Sequence, residues 1–302
     1  MELETILTLQ GMLFLLVAAG VILTRFNILP QEGTKILTDL VINLILPCNI
    51  IYSFQMELNL NILRGILIIF TISVLIQVGC MLLSKFMYQK QPPARRKVLQ
   101  YGTVCSNAGF MGNPITEGVF GAQGLVYASI FLIPQRIVMW SAGISYFTGE
   151  QDRKKTMIKV LTHPCIFAVY IGLILMILPI TLPAFVNKTI STISSCTTAM
   201  SMILIGTILA NVNIKTIISK TVLYFTAIRL VLIPFLVYIG CVLFHVEPIV
   251  RGVAVLLAGM PAGSTTAILS AKYNGDYVFG TKCVVFTTLI SMITIPIWCM
   301  II

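Results

Sequence analysis

Charged residues are scarce in this sequence. They make up 10% of its 302 residues, whereas 58% are hydrophobic and the mean hydropathy is +0.99. A soluble domain carries about 25% charged residues, so ten acids and twenty bases are too few to cover a water-soluble protein of this length. The shortage excludes a soluble globular enzyme, a disordered chain and a fibrous protein, and it predicts an integral membrane protein.

Residues that could form a metal or redox centre are also few or widely spaced. The only histidines are His163 and His245, and no two of the eight cysteines lie closer than sixteen residues. This spacing is typical of neither a zinc site nor a redox pair. We therefore expect no metal and no cofactor, and we expect the cysteines to serve as small apolar side chains.

What the sequence does contain is a series of long apolar segments. A transmembrane helix takes about 20 residues, and segments of that kind predict an all-α integral membrane protein with ten transmembrane helices. Met1–Glu4 show neither a basic start nor a cleavage site, so we expect no removable signal peptide. The predicted spans, numbered one to ten in chain order, are Thr5–Leu29, Thr34–Met56, Ile62–Tyr88, Ala94–Gly121, Gln123–Thr148, Leu161–Leu178, Pro183–Ala210, Thr216–Phe244, Pro248–Tyr273 and Tyr277 to the C-terminus.

Lys and Arg residues are distributed unevenly among the connections between these spans. The connections after odd-numbered spans hold 15 of them and the connections after even-numbered spans hold 3. The positive-inside rule then predicts a multi-pass protein of the cell (plasma) membrane with both termini outside. Because these bases lie in short loops beside the lipid bilayer, the net charge of +10 needs no nucleic-acid partner.

The most polar connection, Glu150–Lys155, divides the chain into residues 1–150 and 151–302, each with five predicted spans. An odd number of spans per half indicates an inverted repeat, which is a common plan of secondary transporters. The fourth span of each half is interrupted, at Ser106–Ile115 (SNAGFMGNPI) and at Gly259–Thr266 (GMPAGSTT). Broken backbone at membrane depth is tolerated only where it is buried in protein or lines a cavity. The matched breaks therefore predict a substrate site near the midplane.

At these two runs the sequence resembles the auxin efflux carrier family of membrane transporters, in its bacterial branch. The similarity covers the whole chain, and the run Gly259–Asp276 (GMPAGSTTAILSAKYNGD) resembles the ninth-helix signature of the family. The resemblance implies a fold akin to that of bile-acid sodium symporters, in which helices four and nine cross at their broken centres. The crossover residues that it implies are Asn107, Asn113, Pro114, Pro261, Gly263, Ser264 and Thr265.

The resemblance also implies a mechanism and a cargo. Spans three to five and eight to ten would form a mobile transport domain, and spans one, two, six and seven a scaffold that often forms a homodimer. Transport would be elevator-like, and the cargo a small organic acid such as malate, malonate or an auxin-like acid. Arg136 departs from the family pattern, because many relatives have an uncharged asparagine there.

Two basic residues lie far from the ends of their predicted spans. Arg136 and Arg229 each lie thirteen residues into a span, which is about 20 Å at 1.5 Å per residue. An ionised base there costs at least about 2.5–3.5 kcal/mol, and arginine does not deprotonate to escape the cost. We hypothesise that an anionic substrate is the partner, with Arg136 the stronger candidate. The alternative is that each arginine bonds to freed backbone carbonyls or reaches the membrane surface.

Two further features keep more than one interpretation. Glu117, the nearest acid, is a proton-coupling carboxylate, a helix-end acid or a partner to an arginine. Ser264 and Thr265 either contact a substrate or cation, or satisfy backbone groups freed by Pro261. The sequence favours a secondary transporter of small carboxylates, with sodium or a proton as coupling ion. A membrane-embedded enzyme and a channel or sensory domain are the alternatives, although no nucleophile–base pair is visible at depth.

Overall fold

A computed structural model describes residues 3–55, 59–140, 146–147, 158, 161–178, 180–210, 217–263, 265–272 and 275–302. All regular elements within these ranges are helical, as the composition predicts. The α-helices, numbered in chain order, are α1 (Leu3–Arg25), α2 (Gln31–Leu40), α3 (Leu46–Ser53), α4 (Leu60–Met87), α5 (Pro93–Val104), α6 (Asn113–Trp140), α7 (Pro164–Ile177), α8 (Ala184–Ser194), α9 (Thr197–Ala210), α10 (Lys220–Ala227), α11 (Ile233–Leu243), α12 (Pro248–Ala258), α13 (Thr265–Lys272) and α14 (Tyr277–Ile301).

Among the described residues, six helical stretches are long and apolar enough to cross a membrane, and three shorter apolar helices accompany them. The six are Glu32–Ser53, Leu60–Met87, Ala108–Met139, Ala184–Thr207, Lys220–Leu243 and Tyr277–Ile301, and the shorter ones are Gly11–Arg25, Pro164–Ile177 and Pro248–Ala258. The third stretch runs through Gly121, whose backbone (φ 65°, ψ −157°) is not helical, at the predicted end of span four. The all-α membrane class is thus confirmed, and the count of ten spans in two inverted halves stays a prediction.

In the described ranges, three π-helical turns interrupt the helices, at Val41–Ile45, Ala108–Gly112 and Ile228–Leu232. Each precedes an α-helix whose second residue is a proline, namely Pro47, Pro114 and Pro234. A proline has no N–H to donate to the carbonyl four residues before it, and its ring clashes with that carbonyl. A wider π turn places the interruption just before the proline, so each helix continues with its proline in the first turn.

Several helix pairs have extensive contacts. α1 packs along α9, and α3 packs against α7, α8 and α6. α6 also packs against α4 and α12, and α13 packs against α14. Large apolar side chains such as Leu15, Phe185 and Leu243 are exposed on the outer surface, which is the pattern expected of helices that face lipid.

Candidate functional site

The two breaks cross each other and pair through their backbones. They follow α5 and α12, and they form an isolated antiparallel bridge in an otherwise helical structure. On one side of the bridge the N–H of Asn107 donates to the carbonyl oxygen of Pro261 at 2.8 Å. On the other side the N–H of Gly263 donates to the carbonyl oxygen of Cys105 at 2.9 Å. Two backbone N–H groups and two carbonyl oxygens at the breaks thus satisfy one another.

Side chains from neighbouring helices complete this crossover. The hydroxyl of Ser106 donates to Oε1 of Gln135 at 3.1 Å, and Nε2 of Gln135 donates to the carbonyl oxygen of Ser106 at 2.7 Å. The N–H of Ala262 donates to Oγ1 of Thr287 at 3.2 Å. Both central residues of the bridge are therefore held by polar side chains of α6 and α14.

A cavity of about 120 Å³ lies beside the crossover. This is several times the roughly 10–15 Å³ that one water molecule needs. Apolar residues of α3, α6 and the first two π turns form part of its wall. The polar and charged residues that line it are Ser106, Asn107, Gln135, Arg136, His163 and Thr265.

The helical segments that follow the two breaks both begin at this cavity. The π turn that starts at Ala108 contributes Gly109 and Phe110 to the wall, and α13 contributes Thr265, its first residue. The first turn of a helix has N–H groups without intrahelical acceptors and carries partial positive charge. Two helix N-termini therefore add to the positive potential of the cavity, which favours an anion.

Arg136 and His163 meet at the edge of this cavity. Nη1 of Arg136 lies 2.9 Å from Nε2 and 3.3 Å from Nδ1 of His163. The backbone N–H of Cys165 donates to the same Nδ1 at 3.2 Å. A neutral imidazole has one acceptor lone pair, so two donors compete for it. Arg136 places a positive charge at the edge of the cavity, which an anionic group would complement.

The structure brings together some of the residues that the sequence singles out for substrate binding, but not all. Asn107, Arg136, Gly263 and Thr265 line the cavity, and Pro261 pairs with Asn107 behind it. Ser264 lies outside the described residues.

The other two predicted crossover residues begin α6, away from the cavity wall. Asn113 is buried, and its Oδ1 has no hydrogen-bond partner within the described ranges. Pro114 is the second residue of α6, where a proline is compatible with the helix. The break in span four therefore lies at residues 105–107, ahead of this proline rather than at it.

The two charged residues with open interpretations lie elsewhere. Glu117 accepts hydrogen bonds from Nδ2 of Asn49, at 3.1 and 3.3 Å, and no described arginine pairs with it. Arg229 is buried in the third π turn, where its Nε has no partner among the described atoms. Arg229 is not part of the cavity wall, so the structure separates it from Arg136.

Sequence reasoning missed two residues of the site. Gln135 adjoins Arg136, and a second polar residue inside an apolar span is a signal that could have drawn attention to it. His163 is the N-cap of α7, so its predicted place near a helix end is correct. Only the fold shows that this helix start faces Arg136, because the two residues belong to separate helices.

A larger groove, of about 630 Å³, lies between α4 and α11. Its walls are almost entirely apolar, with Thr71 among the few side chains that could form a hydrogen bond. A carboxylate transferred into such a groove would lose its hydration without gaining a partner. The smaller cavity at the crossover is therefore the candidate site.

Comparison with known proteins places the chain among transporters. A family model described as a membrane transport protein matches residues 6–156 and 150–299. An uncharacterized transporter of Methanothermobacter thermautotrophicus is 26% identical over 98% of this chain and 96% of its own length. One of Methanocaldococcus jannaschii is 24% identical over 94% of both chains. The uncharacterized transporter YfdV of Escherichia coli K12 is 21% identical over 89% of this chain and 88% of its own.

Proposed function

The chain belongs to the membrane transport protein family, the auxin efflux carriers that its two broken-helix motifs resemble, and we propose that it moves small organic anions across the cell membrane as a secondary transporter. The cargo we propose is a carboxylate, of the size of malate or malonate or an auxin-like acid. The observation that carries this proposal is the guanidinium of Arg136 at the cavity beside the crossover.

The charge balance of the cavity favours a carboxylate over a neutral or cationic cargo. Arg136 and His163 present donors at its edge, and no Asp or Glu is among the residues that line it. A guanidinium binds a carboxylate through two parallel hydrogen bonds, which makes the contact strong and directional. The helix N-termini at Ala108 and Thr265 would add to this attraction.

The packing of the helices supports an elevator-like movement. One buried apolar cluster, which includes Tyr101, Phe225 and Phe279, is formed only by residues of predicted spans three, four, five, eight, nine and ten. Those are the spans proposed to move together. The proposed scaffold also lines the cavity, because His163 belongs to predicted span six and Leu46 to span two. A substrate there would lie between a mobile domain and a scaffold.

The proposed orientation, with both termini outside the cell, rests on the uneven distribution of basic residues among the connections. A homodimer formed through the scaffold would keep that half of the molecule still while the other half moves. These two features are proposed together with the elevator-like movement.

The proposal is tested by ligand-induced stabilisation of the purified protein. A ligand at about 100 times its Kd stabilises the folded state by about 2.7 kcal/mol. We expect malate or malonate to raise the unfolding temperature of the wild type and to have no effect on Arg136→Gln. Arg64→Gln, which removes an exposed arginine of α4, is the matched control and should respond like the wild type.

Two results would contradict the proposal. One is a wild-type protein that responds to neutral solutes or cations but to no carboxylate. The other is an Arg136→Gln variant that responds to the acids as the wild type does. Arg136→Lys tests whether a positive charge alone is enough, because lysine keeps the charge but cannot form two parallel hydrogen bonds with one carboxylate. We expect this variant to bind more weakly than the wild type.

A further inference from the structure

A buried polar contact joins three helices away from the cavity. Nδ2 of Asn49 donates to Oε2 of Glu117 at 3.1 Å, to Oε1 of Glu117 at 3.3 Å and to Oγ of Ser194 at 3.0 Å. Asn49 is on α3, Ser194 is on α8 and Glu117 is on α6. In the proposed function, α3 and α8 belong to the scaffold and α6 to the transport domain. The contact therefore lies where the transport domain and the scaffold would slide past each other.

Glu117 is partly buried in this contact, and no basic residue in the described part of the chain forms an ion pair with it. The charged residues on α4, α5, α8 and α12, including the residue before α12, are Arg64, Lys85, Arg95, Arg96, Lys97, Lys188, Glu247 and Arg251. None of these basic residues lies within ion-pair distance of Glu117 in the described part of the chain. The neutral titratable side chains on α3, α4, α5 and α7 are Cys48, Tyr52, Cys80, Cys165, Tyr101 and Tyr170. None of these side chains forms a described hydrogen bond with Glu117. A proton taken up by Glu117 would therefore break no ion pair.

The amide of Asn49 can serve both protonation states of Glu117. Asn49 is fully buried, and its Oδ1 has no partner among the described atoms. While the carboxylate is charged, the amide nitrogen donates to it. Once the carboxyl is protonated, its O–H is a donor that needs an acceptor. A rotated Asn49 amide offers Oδ1 as that acceptor, so the unpaired oxygen becomes bonded.

From this arrangement we propose that Glu117 carries the coupling proton and that Asn49 and Ser194 hold it to the scaffold in a protonation-dependent contact. The ionised carboxylate accepts charge-assisted hydrogen bonds, which are stronger than those of a neutral acid. Uptake of a proton from water on one side removes the charge and weakens the contact between α6 and α3. The mobile helices then cross with the proton bound and release it to water on the other side, and the contact with Asn49 forms again when they have returned.

This inference rests on the proposed function and extends it by naming the coupling ion. Glu117 is four residues before Gly121, the predicted end of span four, which is about 6 Å along a helix. The proposed proton path leads from the carboxyl to water at the near membrane surface. One proton moves with each organic anion, and the driving force is a proton gradient rather than a sodium gradient.

The inference is tested with the full chain in lipid vesicles, with radiolabelled malate and malonate as probes. Two quantities are measured: uptake driven by an inward proton gradient, and exchange of labelled for unlabelled acid without a gradient. We expect Glu117→Gln to lose gradient-driven uptake and to keep exchange, because exchange needs no net proton movement. Glu247→Gln removes an exposed acid before α12 and should keep both. A Glu117→Gln variant that responds to the gradient like the wild type overturns the inference.

A second measurement does not need a transported acid, so it separates this inference from the proposed function. Glutamine resembles the protonated form of Glu117. The unfolding temperatures of the wild type and of Glu117→Gln should therefore diverge as the pH rises from about 4, where much of an ordinary glutamate is protonated, to about 9, where it is ionised. If the wild type moves neither acid but this divergence is found, the choice of cargo fails and the protonation site stands. A difference that does not change over this pH range overturns the inference.

Discussion

Gln135 forms hydrogen bonds with both the hydroxyl and the backbone carbonyl of Ser106. Its Oε1 accepts the Ser106 hydroxyl at 3.1 Å, and its Nε2 donates to the Ser106 carbonyl oxygen at 2.7 Å. Arg136 is the next residue of the same helix. The side chain that fixes the break in span four is therefore directly attached, through the backbone, to the residue proposed to bind the substrate.

Replacing Gln135 by Leu should destabilise the protein, because it leaves the buried Ser106 carbonyl oxygen without a donor. The cost of such an unsatisfied group is about 1–3 kcal/mol. Ser106→Ala removes only the hydroxyl and keeps the stronger bond, so it should cost less. Thermal unfolding of the purified variants measures both changes. A Gln135→Leu variant as stable as Ser106→Ala would show that the amide does not hold the crossover.

The close crossing of α1 and α9 should tolerate no side chain at its centre. A Cβ added to Gly20 would lie 2.1 Å from the carbonyl oxygen of Ile203, and one added to Gly206 would lie 2.1 Å from that of Val17. The two helices would have to separate, which gives up packing that drives helix association in membranes. We expect Gly20→Ala and Gly206→Ala to lower the unfolding temperature and the yield of folded protein.

Gly11 is the matched control for this crossing. It lies on α1 as well, and a Cβ there would meet nothing within 4 Å. Alanine favours a helix over glycine by about 1 kcal/mol, so Gly11→Ala should be neutral or slightly stabilising. If all three alanine variants behave alike, the crossing is not as close as described.

Asp276 should matter more to stability than its partner Arg95. Oδ1 of Asp276 caps α14 by accepting the N–H of Phe279 at 3.0 Å, and Nε of Arg95 lies 3.1 Å from Oδ2. Loss of an N-cap costs about 0.5–2 kcal/mol, whereas an exposed ion pair contributes about 0–1 kcal/mol. We therefore expect a larger drop in unfolding temperature for Asp276→Ala than for Arg95→Ala.

Salt distinguishes the two contributions of Asp276. Added salt screens an exposed ion pair but leaves a cap hydrogen bond largely intact. The effect of Arg95→Ala should therefore fade at high salt, and that of Asp276→Ala should persist. Asp276→Asn keeps a capping oxygen and loses the ion pair, so it should behave like Arg95→Ala. The reverse order of stabilities would contradict the assignment.

Arg229 should be dispensable for folding. It is buried, and its Nε has no partner among the described atoms. Replacing a buried charge by an apolar side chain of similar volume is often neutral or stabilising. We expect Arg229→Met to unfold at or above the wild-type temperature, and Arg229→Gln, which keeps a polar group and loses volume, to unfold below it. A Met variant several degrees less stable would indicate that the guanidinium has a stabilising partner.

The sequence predicted much of the candidate site because broken helices leave a local signal. Glycine, proline and asparagine interrupt spans four and nine, and the structure shows Asn107 paired with Pro261 at these interruptions. The resemblance also places Pro114 at the crossover. In the structure this proline lies in the first turn of α6, two residues after a π turn. Composition cannot reveal such a shift, since it depends on where the wider turn forms.

The sequence by itself determined the membrane class, the positions of the apolar segments and the two interruptions. These follow from local properties, since hydropathy and backbone preference belong to each residue and its neighbours along the chain. The tertiary structure decided which side chains share an environment: His163 faces Arg136, Gln135 holds Ser106, and Glu117 bonds to Asn49 rather than to an arginine. Such contacts join residues 27, 29 and 68 positions apart, and their geometry depends on how the helices pack.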